Sequence, residues 1–433
     1  MPPGADISTK QRLITARLVL GRLHRRLARH GQRTRDMATN GTDATMLSRP
    51  AAPSTRESET PFDMVLRRLI DHEIDTMRAA EVRGDPITFD EVVEFYGATR
   101  FLYPAKLGVL ESRLAAVRTT WEHLIGANNE TFKLLMLRRV VNGRLTVKNS
   151  VCAFEYAPGI WQAQHLVSAD RHEFTGTLAA IMGLLDWISG RANSRAVRFS
   201  YRPTNPGTNR LLGGLEDALP DGRCLGTVSN YYVAECGETR CALTSAVGVD
   251  IRRAQPSETD GLQSLYKQQH PELPAWLDLD DPQLTTLNAR YMKRGLRRSR
   301  DVLVASNAGR ICGSVVCWWA SEGMNFSFLE NAIENLVIDA TLSTDLRITV
   351  ARHLLSAAVE HYRSRGRPYV IALINNEMAD LVAASEVLPA TDKQYAGLTF
   401  DAKEIPTAQR YFESHYKNML FREAQPRHPA GQA

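Results

Sequence analysis

The chain reads as an α/β protein of the α+β kind, built as two tandem lobes, each a mixed, mainly antiparallel sheet flanked by helices. Three observations predict this. Apolar residues alternate between helical and strand periodicity, and no apolar stretch reaches the length of a membrane span. The order of these segments over residues 85–240 recurs over residues 246–424. In both passes an antiparallel hairpin is followed by a strand–helix–strand crossover, which demands a locally parallel pair inside the sheet. A chain of 433 residues with 43% hydrophobic content has material for two cores.

Residues 7–35 contain no acid and carry nine Lys or Arg residues, with Leu13, Ile14, Leu18, Leu20, Leu23 and Leu27 at roughly helical spacing. Such a basic amphipathic arm suits an anionic membrane surface or nucleic acid, or is a solvated tail. Its composition also fits a transit peptide, although Ser is scarce. Residues 36–60 are rich in Ser, Thr, Pro and Ala, so that 1–60 is expected to be a disordered arm and linker. From Pro61 the pattern changes. Phe62, Val65, Leu66, Leu69, Ile70, Ile74 and Met77 form one stripe, which predicts a helix over 61–84.

In lobe one, helical periodicity over 88–98 and 109–126 precedes strands at 132–141 and 146–156, joined by Asn142-Gly143, a strong hairpin signal. A third strand is expected at 159–167, a helix at 177–189 and a return strand at 196–201. Lobe two repeats the order. A strand near 247–255 leads to helices at 258–269 and 283–298, a hairpin of 301–306 and 310–320, a strand at 335–339, a long helix at 346–364 ended by Gly366, and a strand at 369–374. Residues 425–433 are expected to be a disordered tail.

Composition narrows the function classes. Cys152, Cys224, Cys236, Cys241, Cys312 and Cys317 form no Cys-x-x-Cys pair and have no accompanying His cluster, so no metal site is expected. The start lacks a secretory signal, and a cytoplasmic protein with reduced thiols is the expectation. The net charge of +5 is too modest to argue for a nucleic-acid reader. Only nine of the 53 basic residues are Lys, a bacterial-type, GC-rich composition, although Arg also suits phosphate and carboxylate. No nucleophile elbow, Walker pattern or dinucleotide fingerprint is present.

By order of elements, the chain resembles the GCN5-related N-acetyltransferase superfamily in a tandem arrangement. That family's phosphate loop has the pattern Arg/Gln-x-x-Gly-x-Gly/Ala and opens the helix after the fourth strand, where small residues let backbone N–H groups approach a pyrophosphate. Aligned through Leu354-Leu355, Thr349 stands at the first glycine, Ala351 at the Gly/Ala position and Leu346 at the Arg/Gln. The resemblance therefore places acyl-CoA against Arg347, Thr349, Val350 and Ala351 in lobe two, and against Arg171 and Gly176 in lobe one, where the spacing is longer. The loop is degenerate in both lobes.

The chemistry the resemblance implies is attack of an amine, on a small molecule or a peptide, upon an acyl thioester. Glu334 matches the position of a carboxylate base, with a solvated strand end as the plain alternative. Gln164 is its counterpart in lobe one, where the adjacent His165 is a candidate base or a hydrogen-bonded structural histidine. Tyr395 is a candidate acid for the leaving thiolate. Asp278 and Asp280, between the first two helices of lobe two, would attract a cationic substrate or cap a helix. Trp318 and Trp319 must point to opposite faces of their strand, and Trp319 is taken as the substrate-side ring. The alternative to an enzyme is a two-lobe binding or regulatory protein that has lost the phosphate loop.

Overall fold

The computed structural model describes residues 61–82, 86–126, 129–141, 144–169, 174–236, 248–269 and 283–424. The arm over 1–60, the Asn142-Gly143 turn, Arg171, Asp278, Asp280 and the tail over 425–433 lie outside the described residues.

Lobe one begins with α1 (Pro61–Val82), α2 (Phe89–Ala98), α3 (Pro104–Glu111) and α4 (Leu114–Ile125). Thr88 caps α2 by accepting from the N–H of Glu91, and Pro104 opens α3, where a missing N–H costs nothing. Then come β1 (Phe132–Val141), β2 (Arg144–Ala157), β3 (Ile160–Ser168), α5 (Phe174–Ser189), β4 (Ala196–Tyr201), α6 (Pro206–Leu212), α7 (Leu215–Ala218) and β5 (Cys224–Glu235). Lobe two follows with β6 (Val249–Arg253), α8 (Thr259–Gln269), α9 (Gln283–Met292), β7 (Arg298–Asn307), β8 (Arg310–Ala320), β9 (Ala332–Ile338), α10 (Thr344–Arg363), β10 (Tyr369–Asn375), α11 (Ala379–Ser385), β11 (Gln394–Asp401) and α12 (Ile405–Ala424).

The eleven strands among the described residues form one sheet, in the order β1-β2-β3-β4-β11-β5-β10-β9-β8-β7-β6. The mixed, helix-flanked sheet matches the expected fold class, but the sheet is continuous across both lobes. The continuity comes from an exchange. β11, the last strand of the chain, pairs with β4 of lobe one, while β5 pairs with β10 of lobe two, and β5 and β11 pair with each other. Behind β11, α12 buries Ile405, Ala408, Phe412 and Tyr416 against Leu178, Ile181 and Leu185 of α5. Residues 394–424 thus follow lobe two in sequence yet complete lobe one in space.

One face of the sheet carries α1, α5 and α12 over lobe one, and α10 and α11 over lobe two. On the other face a single apolar core runs across both lobes, joining Trp121, Phe154 and Tyr156 to Tyr291, Trp318 and Phe326. Among the described residues, no helix is long and apolar enough to cross a membrane.

Candidate active site

Each lobe contains one parallel strand pair, and both pairs are short. β3 and β4 pair only from Ile160–Ala196 to Ala163–Phe199, and β9 and β10 only from Ala332–Ile371 to Glu334–Leu373. Beyond those points the strands part. The cause is local in both cases. The register of β3 against β2 slips between Ser150 and Cys152, and that of β9 against β8 between Ser314 and Val316. His165 and Asn335, at the slipped positions, both take a positive φ of 54°. A bulge of this kind bends its strand and breaks the ladder. Gln164 and Glu334 are therefore structural counterparts, each the residue before a bulge. These paired bulges and short parallel pairs agree with the fold that the resemblance to tandem GCN5-related N-acetyltransferases implies.

No family model matches the chain, and no curated protein matches it. Among solved structures, it is similar to a tandem GNAT protein from the clavulanic acid biosynthesis pathway, at 12% identity over 66% of this chain and 88% of that one, with a TM-score of 0.37. It is also similar to a GCN5-related N-acetyltransferase from Sphaerobacter thermophilus (13% identity, 62% and 81% covered, TM-score 0.38). A third is a GNAT-family acetyltransferase from Colwellia psychrerythraea (11% identity, 68% and 96% covered, TM-score 0.29).

The mouth of lobe one is filled. The segment between β8 and β9 enters it, and Asn325 donates to Gln164 at 2.5 Å while Gln164 donates to the Met324 carbonyl at 2.9 Å. Phe326, Trp121 and His165 form a triad of nearly parallel rings, with Phe326 4.7 Å from Trp121 and 5.1 Å from His165, and those two 5.7 Å apart. This corrects the candidate base His165. Its Nε2 accepts the Phe326 N–H at 3.1 Å, so the lone pair a base needs is occupied. Burial, with Lys106 nearby, holds its pKa well below the ordinary histidine value. His165 is a neutral packing residue.

The corresponding region of lobe two is polar and meets lobe one. A narrow cavity of about 10 Å³, room for roughly one water, is lined by Tyr156, Arg198, Asn325, Glu330, Glu334 and Leu373, among others. Glu334 accepts from Tyr156 Oη at 2.6 Å and from both terminal nitrogens of Arg198 at 3.2 and 3.3 Å. The Arg198 guanidinium lies 4.4 Å from the Tyr156 ring. The candidate base is therefore fully engaged by two groups of the other lobe.

Glu330 is the residue sequence reasoning missed. It lies in the short turn before β9, is 1% exposed, and lines the same cavity. Its Oε1 accepts from Gly323 N–H at 2.7 Å, and its Oε2 has no hydrogen-bond partner. Burial raises its pKa to about 7, against the opposing pull of backbone N–H groups and of Arg367 and Arg298. Arg298 buttresses it from β7. This fully buried guanidinium donates to the carbonyls of Glu330 (2.8 Å) and Tyr156 (2.9 Å), and lies 4.0 Å from the Trp318 ring. Nothing in the sequence around Phe328-Leu329-Glu330 marks that carboxylate, because its burial depends on strands brought in from both lobes.

Other expected site residues fall elsewhere. Trp319 faces α10, with Arg365 and Arg367 over its ring, and it is Trp318 that faces the cavity side, 4.5 Å from Tyr156. Tyr395, on β11, is buried and accepts from Arg202 Nε at 3.3 Å.

The start of α10 does not fit the diphosphate of acyl-CoA, and the loop before α5 lies outside the described residues. α10 begins at Thr344, with Ser343 Oγ accepting the N–H of Leu346 and the Ser343 carbonyl accepting that of Arg347. The N–H groups of Thr349, Val350 and Ala351 come later and belong to the helix's own ladder. Val350 and Ala351 are fully buried against the sheet. Two carboxylates guard the loop. Asp339 accepts from the N–H and hydroxyl of Thr341 and pairs with Arg310, and Asp345 sits in the first helical turn. Among the described residues of the expected set, Arg347 keeps a charged group with an unpartnered nitrogen, Nε. In lobe one the Asn149 amide oxygen accepts from the N–H (3.3 Å) and hydroxyl (3.0 Å) of Thr177 at the start of α5. Gly176 is required there because a Cβ would collide with that amide.

Proposed function

We propose that this chain is an N-acyltransferase that binds the acceptor amine in the cavity between its lobes, with Glu330 as the base. The observation that carries this reading is the Glu330 carboxylate, which is buried, has one free oxygen, and is held near neutrality in the cavity beside the bulged strand. Such a group takes the proton from an ammonium at physiological pH. The freed amine nitrogen then forms a bond to the acyl carbon, the carbon–sulfur bond breaks, the sulfur leaves with the bonding pair as a thiolate, and the proton that the nitrogen loses on becoming an amide is taken up by that thiolate. Glu334, held by Arg198 and Tyr156, orients the cavity wall and adds negative charge that favours a cationic acceptor. Because the start of α10 is closed to a diphosphate, the donor at lobe two is an acyl thioester recognised through its acyl end or its carrier. Admission of the acceptor requires the Arg198–Glu334 contact to open, since the closed cavity has room for about one water.

The test is a mass-spectrometric transfer assay with a panel of acyl thioesters and amines. Turnover by the wild type that falls about 100-fold or more in Glu330→Gln supports the reading. A second reading, a non-catalytic two-lobe binding protein, is favoured by the narrow cavity and the closed start of α10. It prevails if no thioester turns over while an amine alone stabilises the fold by about 2–4 kcal/mol at saturation.

A further inference from the structure

Arg198 and Ser200 both line the junction cavity, and strand alternation puts Arg202, just past the end of β4, on the same side. Four residues of strand place Arg202 about 13 Å from Arg198 along β4. Its Nε donates to Tyr395 Oη at 3.3 Å and its Nη2 to Tyr103 Oη at 3.2 Å. Tyr231 packs against Tyr395 with ring centroids 5.4 Å apart. From α3, Lys106 brings a second cation to the Tyr103 ring, its Nζ 5.4 Å from that centroid and 4.1 Å from Phe101, while the Arg202 guanidinium lies 5.9 Å from the same Tyr103 ring. Among the described residues, neither Lys106 nor Arg202 has a carboxylate partner.

Two cations held together without an anion repel one another, and aromatic faces offset only part of that repulsion. Burial, and after it the neighbouring Arg202, brings the Lys106 pKa down to about 8, in keeping with that repulsion. Three tyrosine hydroxyls at the same point supply neutral donors. A carboxylate would use two of these five groups. A tetrahedral oxyanion uses more of them, with Arg as the directional donor and Lys as the point charge.

We propose that Lys106, Arg202, Tyr103, Tyr231 and Tyr395 form a binding subsite for a phosphate group. Given the acyltransferase reading, on which this further step rests, the phosphate belongs to the acceptor. It anchors one end of an extended molecule whose amine reaches Glu330. The subsite lies on the sheet face opposite α5 and α10, so it is separate from the helix starts where an acyl-CoA diphosphate would be sought.

The experiment titrates the full chain with inorganic phosphate, with acetate and with chloride at constant ionic strength, read by calorimetry and thermal shift. Saturable phosphate binding, weakened at least tenfold in Arg202→Gln and in Lys106→Gln but unchanged in Glu330→Gln, is the expected result. Equal phosphate response in wild type and both variants overturns the subsite, and acetate binding as tightly as phosphate overturns the phosphate assignment. If Arg202→Gln fails to fold, Lys106→Gln on the more exposed α3 carries the test. Phosphate binding without any acyl transfer leaves the subsite standing and overturns the acyltransferase reading instead.

Discussion

The mouth of lobe one and its counterpart in lobe two use the same backbone device to opposite ends. Each has a bulge at a residue of positive φ, a parallel pair of three or four rungs, and a polar residue just before the bulge. In lobe one the opening is closed by Met324, Asn325 and Phe326, and the histidine there is locked in an aromatic stack. In lobe two the equivalent region is lined by charge, with one carboxylate oxygen left unpartnered. Two copies of one scaffold thus differ in what fills the opening, an aromatic plug in one and charged side chains in the other. The plug and the charged cavity are also mechanically one unit, since the segment that fills lobe one ends in Glu330.

Cutting the anchor gives the largest expected effect. Trp121→Ala removes a fully buried ring that stacks on Phe326 and whose Nε1 donates to Gly323 at 2.7 Å, and it should cost about 3–5 kcal/mol in denaturant unfolding. A loss below about 1 kcal/mol would show that the plug does not hold the lobes. Next, Glu334→Gln leaves Arg198 facing the cavity without its charge partner, for an expected cost of about 3 kcal/mol, and the double change Glu334→Gln with Arg198→Met should recover part of it. Failure of the double variant to recover would mean the pair is not coupled.

Glu330→Gln sharpens the contrast through pH. The folded-state pKa of Glu330 is raised above its unfolded value, so the native state holds the extra proton between about pH 4.5 and pH 7. Stability therefore falls as pH rises through that window, by up to about 3 kcal/mol. The variant should match the wild type near pH 4.5 and exceed it at pH 8, and parallel stability curves would remove Glu330 from the argument. In the transfer assay, kcat/KM should rise through pH 7 as the carboxylate ionises. The smallest effect belongs to His165→Phe, at about 1–3 kcal/mol for the orphaned Phe326 N–H. It should leave the acidic limb of that pH profile in place, and a shifted limb would return His165 to the chemistry.

What the sequence revealed follows from what is local. The hairpins, α5, α10 and both crossovers were readable because their periodicity and turn residues lie within short windows, and strands over 132–141, 196–201 and 310–320 agree with the structure to the residue. The helix expected over 283–298 ends at Met292, because Arg298 begins β7 and turns inward to the junction. β5 and β11 escaped notice. Their sequences mix Gly, Ser, Thr and Asn with few apolar runs, since each lies mid-sheet with one face only partly covered. The candidate site was half legible. Glu334 was found from the element order, but its partners Tyr156 and Arg198, and the buried Glu330, come together only through contacts between residues more than 130 positions apart.

The exchange of β5 and β11 also sets the order in which the molecule can be made. When residues 61–236 have left a ribosome, β4 has no neighbour on its far side, and the helix that will cover α5 has not been synthesised. Lobe one must wait, with an open strand edge and uncovered apolar surface, for the last 40 residues of the chain. Closing a loop of that length is slow and exposes the intermediate to aggregation. A gene split between the lobes would yield two fragments, each missing a strand carried by the other, which makes co-expression of the halves a direct probe of whether they complete one another.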